Sequence, residues 1–129
     1  MKQKVLCVML LLAFLLTVSV PGVSAYGEDD YLLACAIEAA AGGESYTVMV
    51  SVGSVLLNRI KSNSYPKTLG SVISDAKIDI SDVQPSARAL RAARDAAEGF
   101  DPTDGALEYR KTSEVGVPST ISVDGWSFY

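Results

Sequence analysis

The stretch EAAAGGESYTVMVSVGSVLLNRIKS, which runs from Glu38 to Ser62, decides how this chain folds. Its apolar residues recur at both strand and helix spacing, but a run from Tyr46 to Lys61 is long for a strand and normal for a helix. Because a helix this apolar must be buried on most sides, we predict that it is the central helix of the domain. Gly53 and Ser54 are small enough to let a neighbouring element pack closely against it.

A second helix is predicted immediately before the central one. We expect it to run from about Tyr31 to Ala41, with Asp29 or Asp30 capping its start. The pair Gly42-Gly43 should end it, as glycine often does past a helix C-terminus. The side chains predicted to face the core are Leu33, Ile37, Ala40 and Ala41.

Two further helices are predicted downstream of the central one. The first spans Thr68 to about Ser74 and is followed by a polar loop from Asp75 to Gln84. The second spans Ala87 to Glu98, in a segment rich in strong helix formers, and its arginines should lie on a solvated face. The side chains predicted to line the inner faces are Leu69, Val72 and Ile73 in the first helix and Leu90, Ala93 and Ala97 in the second.

The C-terminal part is predicted to form a small β element. A strand should run from Ala106 to about Lys111, followed by a loop from Thr112 to Ser119. A hairpin should follow from Thr120 to Tyr129, because Asp124-Gly125 is the preferred pair for a two-residue type I′ turn. The sequence therefore predicts one mainly helical α+β domain with about four helices and a small C-terminal antiparallel β element.

The first 25 residues have the anatomy of a secretory signal peptide. Lys2 and Lys4 give a positive start, Val5 to Val20 is apolar, and Val23-Ser24-Ala25 fits a small-residue cleavage signal. The apolar run is short for a membrane span, which needs about 20 residues. We expect a signal peptide over residues 1–25 and an exported domain over residues 26–129, with an uncleaved N-terminal anchor as the alternative.

Composition limits the chemistry that the chain can perform. It has 15 acidic and 11 basic residues and no histidine. An acidic domain is poorly suited to holding nucleic acid or anionic membrane by charge. The lack of histidine excludes Ser-His and Cys-His nucleophile pairs and zinc sites that use histidine. Cys35 lies in an apolar helical stretch and is expected to be a small core residue, so catalysis would fall to carboxylates, hydroxyls, lysine or tyrosine.

Two carboxylates are the candidate catalytic acids. Glu38 lies on the first predicted helix, and Glu44 follows the Gly-Gly break. A carboxylic acid in a partly apolar cleft can protonate a glycosidic oxygen. Each also has a simpler interpretation, because Glu38 can be a solvent-facing helical residue and Glu44 can be a favourable charge at a helix N-terminus.

Several short motifs, taken in order, carry a family resemblance from Leu32 to Tyr129. They are GES-Y at 43–46, V-x-V-x-x-V-L-L-N-R-I-K-S at 50–62, Y-P-x-T at 65–68, A-L-R-A-A-R-D-A at 89–96, G-x-D-P-T-x-G-A-L at 99–107 and the ending V-D-G-W-S-F-Y. Together they resemble the SleB-type bacterial cell wall hydrolases, the spore-cortex-lytic enzymes and their relatives. The resemblance implies a lysozyme-like domain that cleaves the glycan strand of peptidoglycan by a glutamate-driven reaction of glycosidase or lytic transglycosylase type. It implies no metal and no organic cofactor.

The sequence departs from the family at the residues that carry the reaction. The family motif A-I-Y-x-E-A-R-G-E falls on residues 36–44, which read AIEAAAGGE, so Ala40 occupies the position of the catalytic glutamate. Glu38 is about 200° away from Ala40 around a helix and should point away from a cleft that position 40 faces. Glu44 is nominally on the same face as Ala40. If chemistry is retained, we therefore expect Glu44, before Glu38, to supply the acid.

Two functions fit this pattern. One is an exported, glycan-cleaving enzyme whose acid has been relocated to Glu44 or Glu38. The other is a non-catalytic relative that binds cell wall material, or a partner protein, on the former cleft. Both place the protein outside the cytoplasm, either secreted or at the cell wall, with peptidoglycan rather than nucleic acid as its partner.

Overall fold

The computed structural model describes residues 27–112 and 121–129. The predicted signal peptide over residues 1–25 and nearly all of the loop predicted over 112–119 lie outside these ranges. The elements of the described residues are α1 (Glu28–Ala41), α2 (Tyr46–Lys61), α3 (Leu69–Asp75), α4 (Ala87–Ala97), β1 (Tyr109–Lys111), β2 (Ile121–Val123) and β3 (Trp126–Phe128). The prediction of a mainly helical α+β fold with four helices and a small antiparallel sheet is confirmed. None of the helices in the described ranges is both long enough and apolar enough to cross a membrane.

Helix α2 is the spine of the core, as predicted, and spans the predicted residues. Ser45 caps it, since the Ser45 hydroxyl accepts a hydrogen bond from a backbone N–H of the first turn at 3.3 Å. Gly53 lies where α1 and α4 approach α2, because a Cβ at this position would be 2.8 Å from Ile37 Cδ1 and 3.3 Å from Ala96 Cβ. The predicted close packing at Gly53 is therefore confirmed.

Helix α1 begins earlier than the sequence predicted, at Glu28 instead of Tyr31. The prediction that Asp29 or Asp30 caps it is wrong, because both lie inside the first turn and the capping position is Gly27. Their charges still favour the helix, since the N-terminus carries partial positive charge. The predicted inner face is largely confirmed: Leu33, Ile37 and Ala41 are buried, whereas Ala40 is only half-buried.

Helices α3 and α4 both begin after a hydroxyl cap, Thr68 in the first case and Ser86 in the second. The predicted core face of α3 is confirmed. The predicted core face of α4 is partly wrong, because Leu90 is half-buried and Ala97 is exposed. Only small side chains fit where α4 meets the other helices, and the buried face consists of Ala89, Ala92, Ala93 and Ala96.

The three strands form one antiparallel sheet in the order β1-β3-β2. The predicted hairpin is confirmed, and Asp124 (φ 43°) and Gly125 (φ 84°) form its turn. Strand β1 is shorter than the predicted strand from Ala106 to Lys111. Before β1, the backbone N–H groups of Leu107 and Glu108 both donate to the Tyr129 carbonyl, which departs from a regular ladder. The carbonyls of Ala106 and Leu107 accept hydrogen bonds from side chains of α2.

Cys35 is buried in the helical core, as predicted, with 5% of its surface exposed. Burial raises the pKa of its thiol, because a thiolate is poorly solvated in an apolar environment. A protonated, buried thiol is a weak nucleophile. Cys35 is therefore a packing residue.

Candidate functional site

Glu44 lies in the short link between α1 and α2, where the helices meet the sheet. Gly43 in this link has φ 82°, a conformation that glycine adopts without strain. The two glycines therefore end α1 before Glu44, and Glu44 does not continue the face of that helix. The Glu44 side chain is 33% exposed, and its Oε1 lies 3.6 Å from Lys111 Nζ on β1.

A line of side-chain contacts runs from Glu44 along the inner face of the sheet. Lys111 Nζ lies 5.6 Å from the centre of the Trp126 ring. The Trp126 ring lies 5.7 Å from the ring of Tyr109, tilted by 43°. We call this line from Glu44 through Lys111 and Trp126 to Tyr109 the helix–sheet seam. It places the carboxylate of Glu44 beside the Lys111 ammonium group, which in turn lies over the buried Trp126 ring.

The link that carries Glu44 is tied to the rest of the fold on both sides. The Ser45 hydroxyl donates a hydrogen bond to Asp124 Oδ2 in the hairpin turn at 2.7 Å. Arg88 Nη2 on α4 donates to the backbone oxygen of Glu44 at 3.4 Å. The sheet and α4 therefore fix the backbone of Glu44 while its carboxylate remains partly open to solvent.

Glu38 has a different environment. Its Oε2 accepts a hydrogen bond from the Ser86 hydroxyl at 3.0 Å. That hydroxyl also accepts from the backbone N–H of Ala89 at 3.1 Å and so caps α4. A carboxylate at a helix N-terminus is favourable, so Glu38 joins α1 to the start of α4. The structure thus places Glu38 in a structural contact and Glu44 in the seam.

Ala40 lies on α1 between these two residues in sequence and is half-buried. Its methyl group has no proton to transfer and no charge to stabilise a reacting sugar. The chemistry that the family resemblance implies for position 40 is therefore unavailable from this side chain.

Tyr46, at the start of α2, links that helix to α4. Its hydroxyl donates a hydrogen bond to Asp95, and the guanidinium of Arg91 lies 5.7 Å from its ring centre. Burial and the bond to Asp95 raise the pKa of Tyr46 to about 12. Arg88 and Arg91 are both exposed, as predicted, although each also contacts the residues around Glu44.

Sequence reasoning missed a second polar cluster, at the far end of α2. Arg59 is 7% exposed in its side chain, and its Nη2 lies 3.1 Å from Glu108 Oε2. The Tyr65 hydroxyl donates to the other oxygen of Glu108. A buried arginine at the end of an apolar helix requires an acidic partner, so Arg59 was the available signal. The sequence alone could not identify which of the distant carboxylates that partner is.

A groove of about 650 Å³ among the described residues lies away from Glu44. Leu33, Leu57 and Ile60 form part of its apolar lining. Glu38, Ala40 and Glu44 are not among its lining residues, so cavity size alone does not locate the candidate acid. Within residues 27–112 and 121–129, no group of three or more His, Cys, Asp or Glu side chains is arranged to hold a metal ion.

Comparisons with known proteins relate the chain and its fold to a family. A family model described as Cell Wall Hydrolase matches residues 43–125, a range that includes Glu44 but not Glu38 or Ala40. The spore cortex-lytic enzyme of Bacillus cereus is 37% identical over 91 residues, which cover 65% of this chain and 35% of that protein. The spore cortex-lytic enzyme of Oceanobacillus iheyensis is 35% identical over 100 residues, or 72% of this chain and 36% of that protein. The chain therefore matches about a third of the length of these relatives.

Solved structures give the same result. The catalytic domain of the germination-specific lytic transglycosylase SleB from Bacillus anthracis is 29% identical, with a TM-score of 0.66 over 81% of this chain and 97% of that domain. The catalytic domain of the Bacillus cereus SleB protein is 30% identical, with a TM-score of 0.67 over 81% of this chain and 92% of that domain. The chain is thus similar over most of its length to two solved catalytic domains.

Proposed function

The chain belongs to the cell wall hydrolase family, and on that premise we propose that it is an exported enzyme that cleaves the glycan strand of peptidoglycan, with Glu44 as its acid. The observation that carries this proposal is the placement of the Glu44 carboxylate, partly exposed, at the junction of the helices and the sheet. The environment of Glu38 favours Glu44 as the acid, because the Glu38 carboxylate already accepts a hydrogen bond at the start of α4.

The proposed reaction needs one carboxyl group in two protonation states. Protonated Glu44 gives its proton to the glycosidic oxygen while the bond from that oxygen to the sugar breaks. The sugar becomes oxocarbenium-like, and a water or a hydroxyl of the same sugar attacks it. The Glu44 carboxylate takes the proton from the water or hydroxyl that attacks. Lys111, 3.6 Å away, stabilises the carboxylate between the two transfers.

The substrate and location follow from the relatives. Their names refer to the lysis of spore cortex and to a lytic transglycosylase. We extend to this chain the glycan substrate and the action outside the cytoplasm. The signal peptide anatomy of residues 1–25 supports export with cleavage after Ala25.

A second function is favoured by two observations at the same site. Ala40 stands where the family resemblance places the catalytic glutamate, and Glu44 is paired with Lys111. The ion pair engages the carboxylate that a catalytic acid would have to present to the glycosidic oxygen. On these grounds a non-catalytic protein that binds cell wall material or a partner protein is the alternative.

Muropeptide analysis of purified peptidoglycan separates the two functions. The chain from residue 26 to 129 is incubated with peptidoglycan as wild type, Glu44→Gln, Glu38→Gln and Ala40→Glu. We expect the wild type to release glycan fragments and Glu44→Gln to lose about a hundredfold or more of that rate, because general acid catalysis contributes this much. Glu38→Gln, the matched carboxylate-to-amide change, should retain most of the activity.

The opposite pattern identifies the alternative. A wild type without activity, together with fragment release by Ala40→Glu, would mean that the scaffold is intact and the native chain is non-catalytic. Equal activity in wild type and Glu44→Gln would remove Glu44 from the mechanism.

A further inference from the structure

The helix–sheet seam ends in a polar cavity that the proposed acid does not use. This cavity has a volume of about 300 Å³ and lies beside Tyr109. Its lining consists of Arg59, Tyr65, Asp75, Ala76, Glu108 and Tyr109. The volume is at the lower end of the range for small-molecule sites, and it suits a ligand about as large as one sugar unit.

Glu108 is held in a fixed position in this cavity. Arg59 Nε donates to the carbonyl of Leu107 at 2.7 Å, and its Nη2 donates to Glu108 Oε2 at 3.1 Å. The guanidinium also lies 5.0 Å from the centre of the Tyr65 ring. Despite these contacts, the Glu108 side chain is 42% exposed. A carboxylate has about four acceptor positions, so Glu108 retains acceptor capacity for a ligand.

The chemistry of the lining selects the class of ligand. Asp75 and Glu108 outnumber the one cation, Arg59, so the cavity is unfavourable for an anion. Ionised carboxylates only accept hydrogen bonds, which suits a ligand with several O–H and N–H donors. The Tyr109 ring, whose centre lies 5.8 Å from the Arg59 guanidinium, adds part of an apolar surface to the lining. Hydroxyl and acetamido donors beside an apolar ring face are the chemistry of an N-acetylated sugar.

The seam connects this cavity to Glu44. Tyr109 and Lys111 are two residues apart on β1, about 7 Å along the strand and on the same face. Lys111 contacts Glu44, and the Trp126 ring bridges Lys111 and Tyr109. The Trp126 ring is only 5% exposed, so the seam is a chain of side-chain contacts that joins the cavity at one end to the carboxylate of Glu44 at the other.

We propose that the cavity is a saccharide-binding subsite, in which Glu108 and Asp75 accept hydrogen bonds from a glycan unit distant from the bond that Glu44 cleaves. The inference rests on the proposed function for the identity of the glycan. Its test uses binding and not cleavage, so the two proposals can fail separately.

Binding of an N-acetylglucosamine hexamer, measured by calorimetry or NMR titration, tests the subsite. The chain from residue 26 to 129 carries Glu44→Gln throughout, which keeps the hexamer intact. We expect Asp75→Asn and Glu108→Gln each to weaken binding roughly three- to tenfold, the effect of losing one hydrogen bond. The matched control is Asp82→Asn, an exposed aspartate in the loop after α3, which should bind like its parent.

Glu108→Gln removes the partner of buried Arg59 and can destabilise the fold, so Asp75→Asn, on an exposed residue, provides the independent test. Binding by Asp75→Asn equal to that of Asp82→Asn overturns the proposal, as does a parent chain that binds only glycan carrying stem peptides. Weaker binding in Asp75→Asn together with an uncleaved substrate in wild type would support the subsite and refute the enzymatic function.

Discussion

The two ends of helix α2 contact the rest of the protein in different ways. The helix has 16 residues and is about 24 Å long. At its C-terminal end, Asn58 donates hydrogen bonds to Asp101 and to the carbonyl of Ala106, and Arg59 binds Leu107 and Glu108. At its N-terminal end, the Glu44 carboxylate has an ion pair of 3.6 Å with a lysine whose side chain is 59% exposed.

This difference separates the contacts that stabilise the fold from the side chain that is proposed to carry out the chemistry. Dense, partly buried hydrogen bonds hold the C-terminal end, and their loss would leave polar groups unpaired in the interior. At the N-terminal end the backbone of Glu44 is held by hydrogen bonds, but its carboxylate is partly open to solvent and is paired with the exposed Lys111. We therefore expect a substitution at position 44 to change the carboxylate without disturbing the packing of α2.

The largest stability effect should come from Asp101→Ala at the C-terminal end. Both oxygens of Asp101 accept hydrogen bonds: Oδ1 from Thr103 and Oδ2 from Asn58 and Gly105. We expect the free energy of unfolding to fall by about 3 kcal/mol, because several hydrogen bonds to one charged group are lost together. Urea denaturation measures this, with Asp82→Ala as the control. A loss below about 1 kcal/mol would contradict the claim that hydrogen bonds at the C-terminal end of α2 stabilise the fold.

The same residue gives the wild type an acid-dependent stability. Burial raises the pKa of Asp101, but the hydrogen bonds from Thr103, Asn58 and Gly105 outweigh it and leave the pKa below its usual range. Because the folded pKa is lowered, the stabilisation is present above about pH 4 and is lost as pH falls through the folded pKa. In Asp101→Ala, denaturation curves between about pH 5 and pH 2 should show a smaller loss of stability than in wild type.

An intermediate effect is expected at the N-terminal end, from Tyr46. Its folded pKa of about 12 exceeds the ordinary value of 10, so its contribution is fully present below about pH 10 and is lost as pH rises towards 12. The wild type should lose on the order of 1 kcal/mol of unfolding free energy over this range through Tyr46, because solvent screens part of the interaction at this part-buried site. Urea denaturation at pH 9 and pH 11.5 should show a smaller difference in Tyr46→Phe. If the wild type and Tyr46→Phe lost the same unfolding free energy between these pH values, the part-buried hydrogen bond from Tyr46 to Asp95 would be excluded.

The smallest stability effect should follow from Lys111→Met, which removes the ion pair with Glu44 and keeps a long apolar side chain over Trp126. Exposed ion pairs contribute about 0–1 kcal/mol, so thermal unfolding should change little. A loss above about 2 kcal/mol would mean that the N-terminal end is held as firmly as the C-terminal end.

The sequence predicted the helices well where one physical signal dominated. The apolar run of α2 and the Asp124-Gly125 turn specify their structures locally, so both predictions are confirmed. The inner face of α4 was partly missed because the approach of α1 at Gly53 decides which side chains fit, and that approach is a tertiary property. Strand β1 was predicted too long because the segment before it pairs irregularly with Tyr129 and bonds to side chains of Asn58 and Arg59, and these contacts are distant in sequence.

The candidate site was predictable only in part. The two glycines after α1 indicated that Glu44 would leave the helix, and the structure shows that it does. Its neighbour Lys111 comes from a strand more than 60 residues away, so no local pattern could pair them. The bond between Glu38 and Ser86 is equally non-local, and it engages the Glu38 carboxylate at the start of α4. The catalytic roles of Glu44 and Glu38 both stay predictions.

Glu44→Gln, measured for both stability and activity in the same preparation, tests the separation between the two ends of α2 most directly. We expect the free energy of unfolding of Glu44→Gln to lie within about 0.5 kcal/mol of wild type. We expect its rate of glycan fragment release from peptidoglycan to fall about a hundredfold or more. A variant that unfolds more easily but releases fragments at the wild-type rate would contradict this separation.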